Sequence, residues 1–205
     1  MNIAIIGTGN VGGALATRWA EAGHQIRLGV RKPEEFKGMG LLQNPRTSVY
    51  QTAEAVAGAE VILVATPPQI AASLVEQMGP VSGKVIIDAT NAIAANPAPY
   101  PTAYHAFAEL TDAQVVKCFN TTGYENMAQP DYGNLTLDMF MAGDSDTAKA
   151  VARQLAQDCG FEECYDFGQA DKVELLEQFA LSWINLAIFQ KMGRNIGLKL
   201  VKRPK

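Results

Sequence analysis

Six residues near the amino terminus, Gly7-Thr8-Gly9-Asn10-Val11-Gly12, constrain what this chain can fold into more than any other stretch. They follow the apolar run 3–6 and open a helix-period segment, so they read as a G-x-G-x-x-G turn between a strand and a helix. Each glycine has its own task. Gly7 permits the tight turn, Gly9 lets backbone approach a pyrophosphate, and Gly12 removes a side chain where helix packs on strand. Thr8, Asn10 and Val11 complete the loop, whose unpaired N–H groups and helix dipole favour an anion.

The second apolar run, 25–29, ends in Gly29-Val30-Arg31-Lys32-Pro33. A site selective for NAD usually carries Asp or Glu about 20 residues past the glycines, where it binds the ribose 2′-hydroxyl. Here two cations stand at that turn and the first carboxylate is Glu34. A carboxylate repels a 2′-phosphate, whereas an arginine fork binds one bidentately. Arg31 and Lys32 therefore point to NADP(H).

The chain has 205 residues, 48% of them hydrophobic and 19% charged, which suits one domain, or one domain with a small appendage. A net charge of −4 argues against a nucleic-acid surface. No apolar run approaches the ~20 residues that span a bilayer, and the buried-strand pattern begins at once, so neither membrane span nor leader is expected. Cys118, Cys159 and Cys164, with two histidines in all, form neither a disulfide framework nor a metal set. The expected location is the cytoplasm, with no metal.

Strand and helix signals alternate along the chain, which predicts an α/β fold: a doubly wound parallel sheet of the Rossmann type, covered on both faces. Further strands are expected at 48–50, 61–65, 84–88 and 115–119, with helices at 11–22, 52–57, 68–78 and 102–110. Val11, Leu15 and Trp19 recur at helical spacing as a buried stripe, and Gly23 ends that helix. The pattern changes near residue 122, dividing the chain into a dinucleotide-binding part, 1–122, and a C-terminal α/β extension, 123–205. In the extension, strands are expected at 136–142 and 161–166, a helix at 147–158, and a long helical tail from 172 to 200. Leu175, Leu176, Phe179, Trp183, Leu186 and Phe189 form a wide apolar stripe on that tail, read either as core packing or as a dimer surface.

Ligands of such sheets bind at the carboxyl ends of the parallel strands. Beyond the glycine loop and the basic turn, those ends offer Thr66 and Pro67, then Asn91, then Asn120 and Thr121. Their short polar side chains suit ribose or carboxamide binding, and equally suit turns. No G-x-S-x-G elbow and no G-x-x-x-x-G-K-[ST] phosphate loop occurs. His105, Tyr104 and Tyr124 are the nearest candidates for acid–base work, and none has a spacing that demands it, so no catalytic residue is assigned. Hydride transfer to a redox partner fits such a chain, since it needs orientation more than proton traffic.

Across nearly its whole length the chain resembles the NADP oxidoreductase, coenzyme F420-dependent family. The matching segments are the glycine loop, Gly29-Val30-Arg31-Lys32, Asp88-Ala89-Thr90-Asn91, Val116-Lys117-Cys118-Phe119-Asn120-Thr121, Ala142-Gly143-Asp144 and Leu175-Leu176-Glu177. The resemblance extends to the reductase domains of six-transmembrane metalloreductases. It implies that Thr8, Gly9, Asn10, Val11 and Arg31 hold the pyrophosphate and 2′-phosphate. Thr66 and Pro67 then flank the adenosine, and Asn91, Asn120 and Thr121 approach the nicotinamide. It also implies a flavin or deazaflavin ring stacked on the nicotinamide, and a homodimer. Val30 stands where the family usually has serine, which removes one hydrogen bond to a 2′-phosphate. The acceptor stays open among F420-type deazaflavin, flavin, quinone and ferric complex. Two rival readings remain: a small imine or hydroxyacid reductase, and a non-catalytic NADP(H)-binding redox sensor.

Overall fold

The alternating apolar runs resolve into eight strands: β1 Asn2–Ile6, β2 Gln25–Val30, β3 Thr47–Gln51, β4 Val61–Val64, β5 Val85–Asp88, β6 Gln114–Cys118, β7 Met139–Ala142 and β8 Cys164–Asp166. A computed structural model describes residues 1–93 and 95–203. The strands form one sheet in the order β3-β2-β1-β4-β5-β6-β7-β8, so the chain reverses direction between β1 and β4. That is the doubly wound Rossmann arrangement, with its switch point at the carboxyl ends of β1 and β4.

Among the described residues seven helices flank the sheet: α1 Asn10–Glu21, α2 Thr52–Ala57, α3 Ala71–Met78, α4 Ala103–Leu110, α5 Tyr124–Ala128, α6 Asp146–Asp158 and α7 Val173–Ile184. Successive strand residues point to opposite faces, and both faces are covered, which is why the central strands read as unbroken apolar runs. Ile3 and Ile5 pack with Leu15 and Trp19 of α1 and Leu155 of α6. Ala4 and Ile6 pack on the other side with Val56 of α2, Leu74 of α3, Phe107 of α4 and Leu176 of α7. Trp19 is fully buried, and its indole N–H donates to Leu155 O at 2.9 Å, tying α1 to α6.

Local signals set several boundaries. Gly23 ends α1 at φ +99°, with His24 N–H returning to Trp19 O. His24 itself is structural, its Nε2 2.8 Å from Asp158 Oδ2. Ser145 caps α6 by accepting from the Ala148 N–H.

Three expectations need correction. The sheet is not wholly parallel, since β7 runs antiparallel to β6. The link between them, with α5 inside it, stays at the carboxyl end of β6, so β7 enters there and runs back. The strands at 136–142 and 161–166 are shorter than expected, at Met139–Ala142 and Cys164–Asp166.

The third correction concerns the tail, which is not helical to residue 200. After α7 a single π-helical turn, Asn185–Phe189, ends the helix. Lys191 and Gly193 then take φ +58° and +84°, which a right-handed helix does not allow. The remaining tail lies extended over the end of β7. The Leu198 carbonyl accepts from Asp138 N–H, and Lys199 pairs with Asp138 and Glu162. Gly197 packs closely there: a Cβ would come within 2.2 Å of the Leu137 side chain, which would have to shift. The tail's apolar stripe divides accordingly: Leu176 and Trp183 are buried, whereas Leu175, Leu186 and Phe189 face solvent.

Candidate functional site

The glycine loop shows why its residue types are needed. At Gly7, φ is +99° and a Cβ would sit 2.4 Å from Ala65 O, so only glycine lets the ends of β1 and β4 approach. At Gly12 a Cβ would fall 1.9 Å from Gly7 O, inside the backbone of the loop itself. Gly9 has open space around its Cβ position and caps α1 with no side-chain bond. Uncapped N–H groups at the start of a 12-residue helix therefore face outward beside Thr8, Asn10 and Val11.

A cleft of about 1140 Å³ runs from this loop to the end of β2, lined by Gly7, Thr8, Val30, Arg31, Lys32, Lys37, Thr66 and Pro67 among others. It brings together the glycine loop, the basic turn and the end of β4, as the switch point requires. The cations differ in availability. Lys32 Nζ is 2.7 Å from Glu35 Oε1, so part of its charge is already answered. Among the described residues, Arg31 and Lys37 have no carboxylate within ion-pair distance. Lys37 was not singled out from the sequence; its position after the 3-10 turn at Pro33–Glu35 returns it to the cleft. Thr66 Oγ1 is buried with no partner among the described residues, a hydroxyl left free at the cleft wall.

The ends of β5 and β6 form a second polar cluster. Asn91 Nδ2 donates to Asn120 O at 2.9 Å, and Asn120 Nδ2 donates to Asn91 Oδ1 at 3.0 Å. Asn120 Oδ1 and Thr90 Oγ1 remain buried and unpartnered among the described residues. The chain reaches Asn120 through Phe119 at φ +62°, a left-handed conformation that costs a non-glycine residue about 1–2 kcal/mol. The Phe119 ring, buried and edge-on to Trp19 at 5.5 Å, holds it there. Thr121 lies in the same turn, but its hydroxyl donates inward to Met139 Sδ at 3.7 Å.

Beneath this cluster sits a buried ionic triad. Lys117 Nζ donates to Asp88 Oδ2 at 2.9 Å and to Glu177 Oε1 of α7. Each carboxylate's other oxygen holds the turn after β5: Asp88 Oδ1 accepts from Thr90 N–H, and Glu177 Oε2 from Ala92 N–H, both at 2.9 Å. Lys117 in the middle of an apolar strand was the available sequence signal. A buried lysine requires partners.

The acid–base candidates lie elsewhere or are engaged. Burial raises the Tyr104 phenol above its ordinary value, and its oxygen accepts from Asp144 N–H beyond the amino end of β6. His105 Nδ1 is 2.8 Å from Thr102 Oγ1. Tyr124 lies under Arg194, with the guanidinium 5.3 Å from its ring centre, at the edge of a second cleft of about 670 Å³ shared with Thr8, Gly9 and Asn10. No group of three metal-ligating side chains occurs among the described residues. No helix among them is long and apolar enough to cross a membrane.

Comparison with known proteins places this geometry. The family model described as NADP oxidoreductase coenzyme F420-dependent matches residues 2–92, from β1 through the turn after β5. The chain is 27% identical over 225 aligned positions to the F420-dependent NADP reductase of Methanothermobacter marburgensis, covering 100% of both chains. It is 28% identical over 162 residues to the metalloreductase STEAP3 of Rattus norvegicus, covering 78% of this chain but only 32% of that protein. The crystal structure of a putative F420-dependent NADP-reductase from Arthrobacter sp. FB24 superposes with a TM-score of 0.87 at 25% identity, over 98% of this chain and 100% of that one. The structural likeness therefore includes β7, β8 and α7, beyond the segment that the family model matches.

Proposed function

We propose that this chain is an NADP(H)-dependent oxidoreductase that passes hydride between NADPH and a small flavin-like acceptor. The observation that carries the reading is Arg31, which has no carboxylate partner among the described residues and shares one cleft with Gly7 and Thr8 of the glycine loop. The cleft supplies what the dinucleotide needs at both ends of its adenosine half. Uncapped N–H groups of α1 face the pyrophosphate, Arg31 and Lys32 face the 2′-phosphate, and Lys37 adds a third cation. Thr66 and Pro67 flank the adenosine, while Asn91, Asn120 and Thr121 belong to the nicotinamide end.

Bound NADPH supplies the hydride. The chain's own residues orient the two rings and exclude water, so no side chain is assigned as acid or base. Residues 1–122 hold the dinucleotide in this reading, and 123–205 close over its nicotinamide end. A deazaflavin acceptor of the F420 type is favoured by the name of the relative from M. marburgensis, whose whole length aligns with this chain. The chain acts in the cytoplasm, without nucleic acid or membrane, consistent with three free cysteines and a net charge of −4. It forms a homodimer through the exposed apolar residues Leu175, Phe189 and Met192.

Two measurements test this. Arg31→Asp is expected to weaken NADPH far more than NADH in a fluorescence titration, by loss of a charge-assisted bond of about 1.5–3 kcal/mol plus repulsion. Equal losses for both cofactors defeat the NADP assignment. Anaerobic NADPH oxidation, screened against deazaflavin, FMN, quinones and ferric chelates, identifies the acceptor; tight NADPH binding with no oxidation by any of them supports a sensor instead.

A further inference from the structure

The turn after β5 is held from two sides by carboxylates that belong to one buried triad. Asp88 Oδ1 accepts from Thr90 N–H, and Glu177 Oε2 accepts from Ala92 N–H. Between those two anchors stands Asn91, locked to Asn120 by two hydrogen bonds. Asp88 and Lys117 lie on adjacent strands, paired in register. Glu177 comes from α7, 60 residues beyond Lys117 in sequence.

Most buried polar groups of a folded chain find partners. Among the described residues the cluster keeps two that do not, Thr90 Oγ1 in the turn after β5 and Asn120 Oδ1 in the turn after β6. One hydroxyl and one amide oxygen match the donor and acceptor of a primary carboxamide. A turn that presents them must be held still, because a loose loop gains nothing from a hydrogen bond it has to order first. A buried ion triad is a poor source of net stability but a strong geometric constraint, since each charge must keep its partners.

We propose that Glu177 is a positioning residue that acts through Lys117 and the Ala92 N–H to hold the 88–92 turn for the carboxamide of the nicotinamide ring. The inference rests on the dinucleotide reading above and adds to it a named role for α7. Glu177 touches no substrate. It fixes the backbone on which Asn91 and Thr90 stand, so helix α7 couples to the polar cluster at the ends of β5 and β6 and leaves the adenosine cleft alone.

Fragment binding separates the two halves. 2′,5′-ADP carries the adenosine, the 2′-phosphate and one phosphate of the pyrophosphate, and lacks the nicotinamide. In calorimetric titrations Glu177→Leu is expected to weaken NADP⁺ about tenfold, the equivalent of 1.4 kcal/mol, while 2′,5′-ADP binding stays within about twofold of the wild type. Glu177→Gln keeps one acceptor oxygen for either Ala92 N–H or Lys117, and is expected to restore most of the NADP⁺ affinity. The same variants report on the ring directly through NADPH fluorescence, whose enhancement on binding is expected to fall in Glu177→Leu and return in Glu177→Gln. Equal weakening of NADP⁺ and 2′,5′-ADP, or no weakening of either, overturns the positioning role. If Glu177→Leu does not fold, Glu177→Asp decides, since it keeps a carboxylate for Lys117 but is one methylene too short to reach the Ala92 N–H as well. A loss of NADP⁺ affinity with 2′,5′-ADP unchanged then supports the role, and no difference from the wild type overturns it. Failure of the wild type to bind 2′,5′-ADP overturns the dinucleotide reading itself, and this proposal with it.

Discussion

Lys117 Nζ lies 2.9 Å from Asp88 Oδ2 in a place where neither side chain touches solvent. The pair sits at the carboxyl ends of β5 and β6, and Glu177 of α7 completes it from the neighbouring layer. Two carboxylates share one ammonium there, so the three side chains depend on one another.

That dependence sets the first prediction. Lys117→Met leaves two buried carboxylates facing each other and is expected to cost about 3–5 kcal/mol in urea denaturation. Replacing the whole set, Lys117→Met with Asp88→Asn and Glu177→Leu, is expected to recover much of that loss, because the uncompensated charge is gone. A triple variant as unstable as the single one would contradict this account.

Gly12 and Gly9 separate folding from binding within one loop. Gly12→Ala places a Cβ 1.9 Å from Gly7 O, and the backbone cannot yield as a side chain would. Its thermal stability is expected to fall by about 1–3 kcal/mol or more. Gly9→Ala meets nothing within 4 Å, and its φ of −74° suits alanine. That variant is expected to melt like the wild type while binding NADPH more weakly, since its methyl group stands where a pyrophosphate must approach.

The tail is expected to loosen in acid. Burial is the largest single influence on the Glu125 carboxyl and pushes it upward. The bond and charge of Arg194, with further hydrogen bonds from its own backbone and Tyr124, together outweigh burial and hold the group below the ordinary glutamate range. A carboxyl lowered by folding adds stability above its unfolded value, about 4.3, and that stability is lost as pH falls through the depressed folded value. Trp183 donates to Ile196 O at 2.7 Å on the same tail, so tryptophan emission should shift over that range. Arg194→Met should move the shift to higher pH; an unchanged acid transition in that variant would count against the coupling.

The thiols are expected to be silent in the native protein. Burial raises Cys118 and Cys159 well above an ordinary cysteine, and Cys164 is buried beside Cys118 at 3.9 Å between sulfurs. Little thiolate of Cys118 or Cys159 exists to react, and burial keeps reagents from Cys164. A disulfide-exchange reagent should label none of them until denaturant is added, and rapid native labelling would show that this core opens.

The exposed apolar residues of α7 and the turn after it bear on assembly. Phe189 is 70% exposed and Met192 60%, more than a soluble surface usually tolerates in one neighbourhood. Phe189→Lys is expected to shift the proposed dimer to monomer in analytical ultracentrifugation. A wild type that sediments as a monomer at every concentration refutes the dimer directly.

The glycine loop, the alternation of strands and helices, and the basic turn were all legible in the sequence because each is a local pattern. The spacing of the loop glycines or an apolar run such as β4 is read within a few positions of sequence. Arg31 was legible for the same reason, since the end of β2 follows the glycines at a nearly fixed spacing. Sequence also placed Asn91 and Asn120 at strand ends, but not in contact with each other.

Tertiary structure decided what links distant segments. It set Glu177 against Lys117, turned the Thr121 hydroxyl inward, and returned Lys37 to the cleft. It also ran β7 against β6 and folded the tail down across Asp138 where periodicity alone extended a helix. Hydrophobic period reports only which face of a segment is apolar. Which partner covers that face, and where a lone buried charge finds its counter-ion, depends on packing between residues tens of positions apart. The dinucleotide loop was therefore written locally, while the scaffold holding the far end of the cleft exists only once the sheet and α7 have come together.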